Sequence, residues 1–473
     1  MKVIKEPKYL HRALLLVVVS LTLQSCFVAK NYKRPEVIET ETDSLYRTDN
    51  LPVDSLSMAD VSWKEVFTDP YLQQYIEEGL SNNIDIRIAI QQIIAGEAYM
   101  KQGNAGYLPT LSAGTSVTHQ ELAKNSQFGS FFNGAINQYE AVATLSWEAD
   151  IWGKIRSNKR AFHASYLKSV AAHQAVKTKL IESIATTYYT LVALDAQLVV
   201  TKETVDTREK SVVTIQALKD AGEVTQVAVD QNIAIYNNAK AIQVDIEREI
   251  FRTENALSIL LARESQQFER STLDAQSITT PIKLGVPYLL LRNRPDVVAA
   301  ESQFIQSFEL TNVALTNFYP SLTLSASGGF QSLEFDNWFN TNSLFANIVG
   351  GITQPIFNQR KIRTQYEVAQ AQQETALLNF KQTLLVAGRE VSEALYTYNA
   401  ETEKLEYLDK QVQALRRAEV NSEELLNNGY ANYLDLLVAR QSVLTSELTS
   451  IENKLDRLIA IVNLYKALGG GLN

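Results

Sequence analysis

Residues 322–331 read Leu-Thr-Leu-Ser-Ala-Ser-Gly-Gly-Phe-Gln, a stretch in which apolar residues alternate with small or polar ones. The same alternation occurs at residues 111–118, 139–148 and 345–354. Segments of about ten residues with this pattern are typical of β-strands that cross a membrane, with one face on lipid and the other on a polar lumen. A soluble hairpin with one buried face would show the same alternation. The four segments predict two strand pairs, whose surroundings depend on the rest of the chain.

The chain also contains an internal repeat. Three short segments occur twice, in the same order and at offsets near 205–211 residues: 107–113 with 319–326, Ile155-Arg156 with Ile362-Arg363, and Gly222 with Gly429. Chance would give one such match, but three at nearly one offset indicate a duplicated unit of about 200 residues, which is too long for a solenoid repeat. Each copy carries one strand pair, so we predict an internal two-fold repeat.

Four long segments contain no Gly or Pro, and these are residues 154–221, 223–280, 389–428 and 430–468. They are rich in good helix formers such as Ala, Leu, Gln, Glu, Lys and Arg. Helices far longer than about 25 residues indicate a coiled coil, a helical repeat or a membrane span, and the density of charged residues excludes the span. The glycine between each pair of segments predicts a helix end with a left-handed cap.

The last of these segments has the clearest periodicity. Its apolar residues recur at steps of three and four, with Gln441 in one slot: Leu434, Leu437, Leu444, Leu448, Ile451, Leu455, Leu458, Val462 and Tyr465. This heptad seam predicts a helix that packs lengthwise against its neighbours. A long soluble antiparallel coiled coil would have the same pattern.

The N-terminus has basic residues, then an apolar run at residues 13–23, then Gln24-Ser25-Cys26. This order is typical of a signal peptide, and the run is about half the ~20 residues that a membrane span needs. Cys26 is the only cysteine and stands where a bacterial lipoprotein signal places its acylated residue. We predict lipid attachment at Cys26, and an ordinary secretory signal with a chance cysteine is the alternative.

Composition excludes several classes of function. The chain has 473 residues, a net charge of -9 and a pI near 5.3, which argues against nucleic acid as a partner. A single cysteine permits no intrachain disulfide, and no two of the four histidines lie at metal-ligand spacing. The sequence shows no nucleophile–base constellation and no phosphate-binding glycine loop. We therefore predict no enzyme activity, no cofactor and no bound metal.

Four membrane strands are too few to close a barrel, because known membrane barrels begin at about eight strands. Open strand edges are not tolerated in lipid, where the unpaired backbone groups find no water. Such a chain must share one barrel with other copies, and three copies supply ~12 strands. The predicted fold is a trimeric outer-membrane channel with a shared 12-stranded β-barrel, four strands per chain, continued by a long α-helical barrel.

Residues 286–297 read Val-Pro-Tyr-Leu-Leu-Leu-Arg-Asn-Arg-Pro-Asp-Val, and Ala300-Glu301 follows. This stretch resembles the P-x-x-L-L-x-x-R-P-D-[IV]-x-x-A-E motif of TolC-like outer-membrane efflux factors, in the lipoprotein branch that serves RND-type pumps. Residues 147–154, 432–437 and 464–471 are similar to the family's strand-to-helix junction, its last helix and its C-terminal end. The resemblance covers about residues 26–471.

The resemblance implies a fold, partners and a function. The family's fold is a trimeric barrel on a helical barrel, with a small mixed equatorial region at the waist. Its implied partners are a periplasmic adaptor, an inner-membrane RND pump and outer-membrane lipid, and its implied function is passive conduction of drugs, metal ions or other small molecules to the exterior. The outer-membrane duct of a type I protein secretion system is the alternative. A periplasmic structural coiled-coil lipoprotein would require soluble strands.

The resemblance also places the periplasmic tip at residues 220–225 and 427–432. The candidates for the tip and its gate are Gly222, Glu223, Gly429, Tyr430, Ala431 and Asn432. Relatives can carry an aspartate two residues after the second turn glycine, where this sequence has Ala431 and no carboxylate. Arg294 and Asp296 are predicted to cap a helix and to fix the crossover between the repeats.

These observations divide the chain into four parts. We predict a signal peptide at 1–25, a lipid-anchored extended tether at 26–60, a first repeat at 61–280 and a second repeat at 281–473. The first repeat is expected to contain helices, a strand pair near 108–150 and a long helix pair at 153–262. The second repeat is expected to contain a helix at 295–317, a strand pair at 321–356 and a long helix pair at 358–468.

Overall fold

The structure is a computed structural model that describes residues 28–35, 45, 47, 57–127, 129, 135–276, 290–430 and 433–471. Its α-helices are α1 Trp63–Val66, α2 Pro70–Asn82, α3 Ile84–Ala105, α4 Lys154–Asp220, α5 Gln226–Leu260, α6 Leu290–Asn293, α7 Pro295–Thr316, α8 Lys361–Asn427 and α9 Tyr433–Ala467. Its strands are β1 Thr110–Glu121, β2 Ala135–Ala149, β3 Ser321–Ser332 and β4 Leu344–Thr353. Short 3-10 turns lie at Met58–Asp60, Leu273–Ala275, Phe335–Asn337 and Thr341–Ser343. The prediction of four strands joined to very long helices is confirmed.

The described residues form two compact units. The first contains the described residues within Met1–Arg34, Ile94–Lys168 and Ala300–Asn379, and the second contains those within Pro35–Ile93, Ser169–Ala299 and Phe380–Asn473. Each unit contains residues from both halves of the chain. The two compact units therefore do not correspond to the two repeats of the sequence. No described helix is both long enough and apolar enough to span a membrane.

The first unit contains one antiparallel sheet in the order β1-β2-β3-β4. One row across the sheet consists of apolar residues that share a face: Leu111, Leu145, Ala326 and Ile348. The next row, on the opposite face, consists of small or polar residues: Ser112, Thr144, Ser327 and Asn347. The alternation in the sequence therefore produces an apolar face and a polar face. Because neighbouring strands are antiparallel, the start of β1 and β3 and the end of β2 and β4 lie side by side. All four strand–helix junctions are therefore at the same end of the strands.

The apolar face and the two outer strands stay open in a single chain. Every residue of β1 is exposed, and Leu111 is 72% and Ile348 75% exposed. Among the described residues β1 pairs only with β2, and β4 pairs only with β3. A large apolar surface of this kind is typical of an interaction with lipid or with another protein.

The junction between β2 and α4 explains why the sequence there is distinctive. The Asp150 carboxylate accepts hydrogen bonds from the backbone N–H groups of Ile155 at 2.8 Å and Arg156 at 2.9 Å. It therefore satisfies donors that the first turn of a helix leaves free. Trp152 donates its indole N–H to the carbonyl of Pro320 at 2.7 Å, which joins this junction to the start of β3.

In the second unit, the packing face of α9 includes most of the predicted heptad seam and a second buried series beside it. This second series begins two residues later than the predicted seam and advances by three or four residues, with one step of seven: Leu436, Ala439, Val443, Ser446, Ser450, Asn453, Ala460, Leu464 and Ala467. Five residues of the predicted seam are also buried, namely Leu444, Ile451, Leu458, Val462 and Tyr465. Leu434 is 53% exposed, so the predicted seam is wrong only where α9 begins. Small Ala and Ser side chains let helices approach closely, and a pattern of large apolar residues does not show them.

Arg294 lies at the centre of a buried contact in the second unit. Its guanidinium donates to both carboxylate oxygens of Asp296 at 3.0 and 2.6 Å and to the carbonyl of Ala467 at 3.0 Å. It also forms an ion pair with Glu390 at 2.8 Å. Burial lowers the pKa of Arg294, but the hydrogen bonds and charges of Asp296 and Glu390 outweigh burial and raise the pKa. These contacts are structural, as predicted, because they join the start of α7 to α8 and to the end of α9.

The glycine-rich end of the chain packs at the same place. Gly469 has a φ of 94°, and a Cβ atom there would lie 2.6 Å from the carbonyl oxygen of Asn293. Only glycine fits both the conformation and the space. Two stretches that carry the family resemblance, although 173 residues apart at Arg294 and Ala467, therefore contact each other.

Arg294→Leu is expected to lower the free energy of unfolding by about 3 kcal/mol, because the carboxylates of Asp296 and Glu390 lose their charged donor. Thermal or denaturant unfolding followed by circular dichroism measures the change. The matched control is Arg292→Leu, an exposed arginine of the same stretch, which is expected to change the free energy by less than about 0.5 kcal/mol. Equal losses in the two variants would contradict the structural role of Arg294.

Candidate functional site

The first of two tight turns follows α4. Gly222 has a φ of 84°, and its N–H donates to the carbonyl of Lys219 at 3.0 Å. The N–H of Glu223 donates back to the carbonyl of Leu218 at 2.9 Å. This pair of bonds closes the helix end around a left-handed glycine, as predicted.

The second turn follows α8 and repeats the same geometry. Gly429 has a φ of 76°, and its N–H donates to the carbonyl of Leu426 at 3.0 Å. The N–H of Tyr430 donates to the carbonyl of Leu425 at 2.8 Å. The two turns of the repeat therefore share one backbone structure.

The side chains after the two glycines differ. Glu223 is exposed, and Tyr430 is 82% exposed. One turn thus presents a carboxylate to the solvent and the other presents a phenol. The other predicted site residues, Ala431, Asn432 and Cys26, lie outside the described residues.

Arg208 of α4 connects three helices behind the turns. It is 4% exposed and donates to the carbonyl of Ile235 in α5 and to the side-chain oxygen of Gln441 in α9, both at 2.9 Å. Burial lowers the pKa of Arg208, and the positive charge of Arg440 lowers it further. Moving a cation from water into a buried site that offers only neutral acceptors costs free energy. The two hydrogen bonds of Arg208 offset part of this cost, so they must persist as long as the helices stay packed.

Arg440 of α9 is the second cation of this region, and its side chain is 13% exposed. It donates to the hydroxyl of Ser211 in α4 at 2.5 Å and pairs with Glu423 of α8 at 2.9 Å. Glu419 of α8 lies 3.4 Å from Arg440, and its negative charge opposes the lowering of the pKa of Arg208. Together the two arginines connect α4, α5, α8 and α9. We call Arg208 and Arg440 with these partners the arginine network.

Tyr433, the first residue of α9, adds a contact closer to the turns. Its hydroxyl donates to the side-chain oxygen of Asn232 in α5. Asn232 is 4% exposed and donates its own amide to the carbonyl of Ala228 at 2.7 Å. Burial raises the pKa of Tyr433, so its hydroxyl stays protonated and remains a donor. The starts of α5 and α9 are therefore held together.

The sequence did not identify the arginine network. Its one signal was Gln441, the polar residue that occupies a slot of the apolar series in α9, and this residue accepts a hydrogen bond from Arg208. The two partners are 233 residues apart, and a single sequence does not show such a pairing. The network contains charged groups that restrain helices, and no three His, Cys, Asp or Glu side chains of the described residues are arranged to hold a metal ion.

A four-stranded sheet with an open apolar face, joined to pairs of very long helices that reverse at capped turns, defines the class of outer-membrane channel proteins. The sequence profile of the family described as "Outer membrane efflux protein" matches residues 75–263 and 286–470. The chain belongs to this family.

Known relatives agree over nearly the whole length. The solvent efflux pump outer membrane protein SrpC of Pseudomonas putida is 29% identical over 410 residues, which are 86% of this chain and 87% of SrpC. The probable outer membrane lipoprotein SilC of Salmonella typhimurium is 25% identical over 446 residues, 94% of this chain and 95% of SilC. The crystal structure of the open state of the Neisseria gonorrhoeae MtrE outer membrane channel superposes with a TM-score of 0.82 at 25% identity, covering 94% of this chain and 98% of MtrE.

The function follows from the family. The chain is the outer-membrane component of an efflux pump, and it is a channel rather than an enzyme. The predicted family, function and outer-membrane location are confirmed.

Gly222→Ala and Gly429→Ala are each expected to destabilise the helix end by about 1 kcal/mol, because a Cβ atom is disfavoured in the left-handed region. A Cβ atom at either position would meet nothing within 4 Å, so the backbone conformation is the only cost. Faster hydrogen exchange in peptides that cover residues 218–223 and 425–430 measures the effect. Asparagine at the same positions is expected to cost less than alanine, and unequal effects at the two glycines would contradict the equivalence of the turns.

Proposed function

We propose that three copies of this chain form the outer-membrane channel of a tripartite RND-type efflux system, with a periplasmic adaptor and an inner-membrane pump as partners. The channel conducts drugs, metal ions or other small molecules passively from the periplasm to the exterior. The observation that carries the proposal is the sheet of the first unit, with its exposed apolar face and its two outer strands.

Pairing of the outer strands supports the trimer. In lipid, each unpaired backbone N–H or C=O group costs several kcal/mol, because no water replaces the missing bond. Antiparallel pairing of β4 of one copy with β1 of the next satisfies both strands, and three copies close a ring of ~12 strands. The apolar row that includes Leu111 and Ile348 then faces lipid, and the polar row that includes Ser112 and Asn347 lines the lumen.

The two turns are the proposed tip, where the adaptor docks and the channel is gated. The tip comprises Gly222, Glu223, Gly429, Tyr430, Ala431 and Asn432. The exposed Glu223 and Tyr430 are available to a partner, whereas the arginine network holds the helices behind them. An adaptor that binds the open arrangement more tightly than the closed one shifts the channel towards the open state.

The N-terminal part is the proposed membrane anchor. Residues 1–25 act as the signal peptide, Cys26 becomes the acylated first residue, and residues 26–60 link it to the two repeats at 61–280 and 281–473. The name of SilC as a probable outer membrane lipoprotein supports this assignment. The names of relatives that refer to solvent and cation efflux support small molecules as the substrate class.

The channel proposal predicts a trimer that conducts ions. Purified full-length protein is expected to migrate in detergent as a trimer that dissociates on heating, and to form pores in a planar lipid bilayer. A strain without the gene is expected to accumulate ethidium and to recover efflux when the gene is restored. A monomer without conductance would contradict the proposal, and loss of a secreted protein with unchanged ethidium efflux would indicate a secretion duct instead.

The anchor proposal predicts one site of acylation. Cys26→Ala is expected to abolish incorporation of radiolabelled palmitate, because the thiol that carries the lipid is lost. The matched control is Ser25→Ala, which keeps a small residue beside the cleavage point and is expected to retain the label. Palmitate on the Cys26→Ala protein would contradict the assignment.

A further inference from the structure

Residues 30–34 lie along α7 and bind to it through both backbone and side chains. The amide of Asn312 pairs with the backbone of Lys30, because the Lys30 N–H donates to Asn312 Oδ1 at 3.2 Å and Asn312 Nδ2 donates to the Lys30 carbonyl at 3.0 Å. Asn312 is 4% exposed. A buried side-chain amide that satisfies both groups of one backbone residue makes a specific contact, since either group would be costly to leave unpaired.

A second contact involves the carboxylate of Glu301. Arg34 donates to both of its oxygens, at 2.8 and 2.7 Å, in the two-pronged geometry that makes such pairs strong. The hydroxyl of Tyr32 donates to the same carboxylate at 3.1 Å. The side chain of Glu301 is 13% exposed, so the ion pair is largely shielded from water.

An aromatic contact lies between these two polar ones. The ring of Tyr32 packs edge-on against Phe304 and Phe308, with centroid distances of 5.8 Å to each. Burial raises the pKa of Tyr32, and the charge of Glu301 raises it further, so the hydroxyl remains a donor. With Glu301 and Asn312, the two phenylalanines form a single face of α7 at steps of three and four residues.

One residue of α4 supports the segment from the other side. Arg160 donates to the side-chain oxygen of Asn31 at 2.8 Å and lies 3.6 Å from Glu309, whose side chain is 2% exposed. Burial raises the pKa of Glu309, and its hydrogen bonds and the charge of Arg160 oppose the shift. Residues 30–34, which we call the clasp segment, therefore have partners on two helices of the first unit.

The position of the clasp segment limits where the lipid anchor can lie. Lys30 lies four positions after Cys26, and an extended chain spans at most ~3.6 Å per residue, or about 14 Å in all. Asn312 is in the last turns of α7, four residues before the helix ends at Thr316 and nine before β3 begins at Ser321. The anchor can therefore lie only near the end of the sheet where the strands join the helices.

We propose that the clasp segment and its face on α7 form a docking site by which the chain holds its own acylated N-terminus beside the strand–helix junctions. This inference rests on the proposed acylation of Cys26. A free tether as far as residue 57 would reach over ~100 Å and would leave the anchor and the sheet independent of each other. With the clasp closed, the acyl chains and the apolar face of the sheet enter the same leaflet together.

Limited proteolysis of full-length protein in detergent tests the docking. Trypsin cuts after Lys30 only when this backbone leaves Asn312, because a protease needs a locally opened chain. The double variant Glu301→Ala and Asn312→Ala is expected to be cut at the Lys30–Asn31 bond roughly tenfold faster than wild type. Gln303→Ala is the matched control on the same helix, since Gln303 accepts from Lys168 at 2.8 Å and does not contact the clasp segment.

A second variant avoids changes in α7. The double variant Tyr32→Ala and Arg34→Ala changes only the clasp segment and leaves the sequence of α7 intact. It removes the contacts of these two side chains with Glu301, Phe304 and Phe308, and so separates loss of docking from loss of folding. It is also expected to be cut roughly tenfold faster at Lys30–Asn31, with unchanged circular dichroism. Equal cleavage rates in wild type and in both double variants would overturn the docking site.

The released peptide separates the two proposals. Its mass shows whether residue 26 carries fatty acid. Protection that depends on the clasp, with an acylated peptide, supports both proposals. Protection with an unmodified peptide would overturn the anchor and with it the lipid role of the clasp. An acylated peptide released equally fast from every variant would overturn the clasp and leave the anchor intact.

Discussion

The unpaired backbone of β1 and β4 is the constraint on which the rest of this structure depends. A sheet of four strands that exposes an apolar face is stable only in a surrounding that covers the face, and lipid covers it only if every strand edge is paired. One chain satisfies neither condition, because β1 and β4 each have one partner among the described residues. The proposed pairing of β4 of one copy with β1 of the next would therefore couple folding of the sheet in the membrane to assembly of the copies.

The sequence was sufficient to predict the parts of the fold that depend on local order. Alternation with a period of two marked the four strands, and freedom from Gly and Pro marked the long helices, because these patterns follow from backbone geometry within one segment. The two turn glycines were recognisable for the same reason, since Gly222 and Gly429 interrupt otherwise continuous helical segments and adopt positive φ. The duplication strengthened these predictions, because the strand pair, the long helix pair and the turn glycine of the first half each have a counterpart in the second.

Contacts between distant segments were not predictable from one sequence. The arginine network joins Arg208 to Gln441, and the clasp joins Lys30 to Asn312, which are 282 residues apart. Nothing local distinguishes these side chains from exposed polar residues elsewhere on the helices. The predicted seam of α9 was incomplete for a related reason: the packing face also includes small residues such as Ala439 and Ser446, which allow a neighbouring helix to approach closely. The predicted tether also proved to begin with an ordered segment, because residues 30–34 bind α7.

The equivalence of the two capped turns has a consequence for symmetry. Gly222 and Gly429 produce the same backbone shape, but the residues that follow are Glu223 in one turn and Tyr430 in the other. A three-fold assembly of this chain would display six turns that are alike in outline and that fall into two chemical kinds. A ligand that recognises only the shape of the turns would bind six equivalent positions, a pseudo-six-fold arrangement. A ligand that recognises charge or an aromatic surface would bind three positions, with true three-fold symmetry. At the proposed tip, the two duplicated turns would therefore combine a six-fold outline with three-fold chemistry, and the residue after each glycine would distinguish the two symmetries.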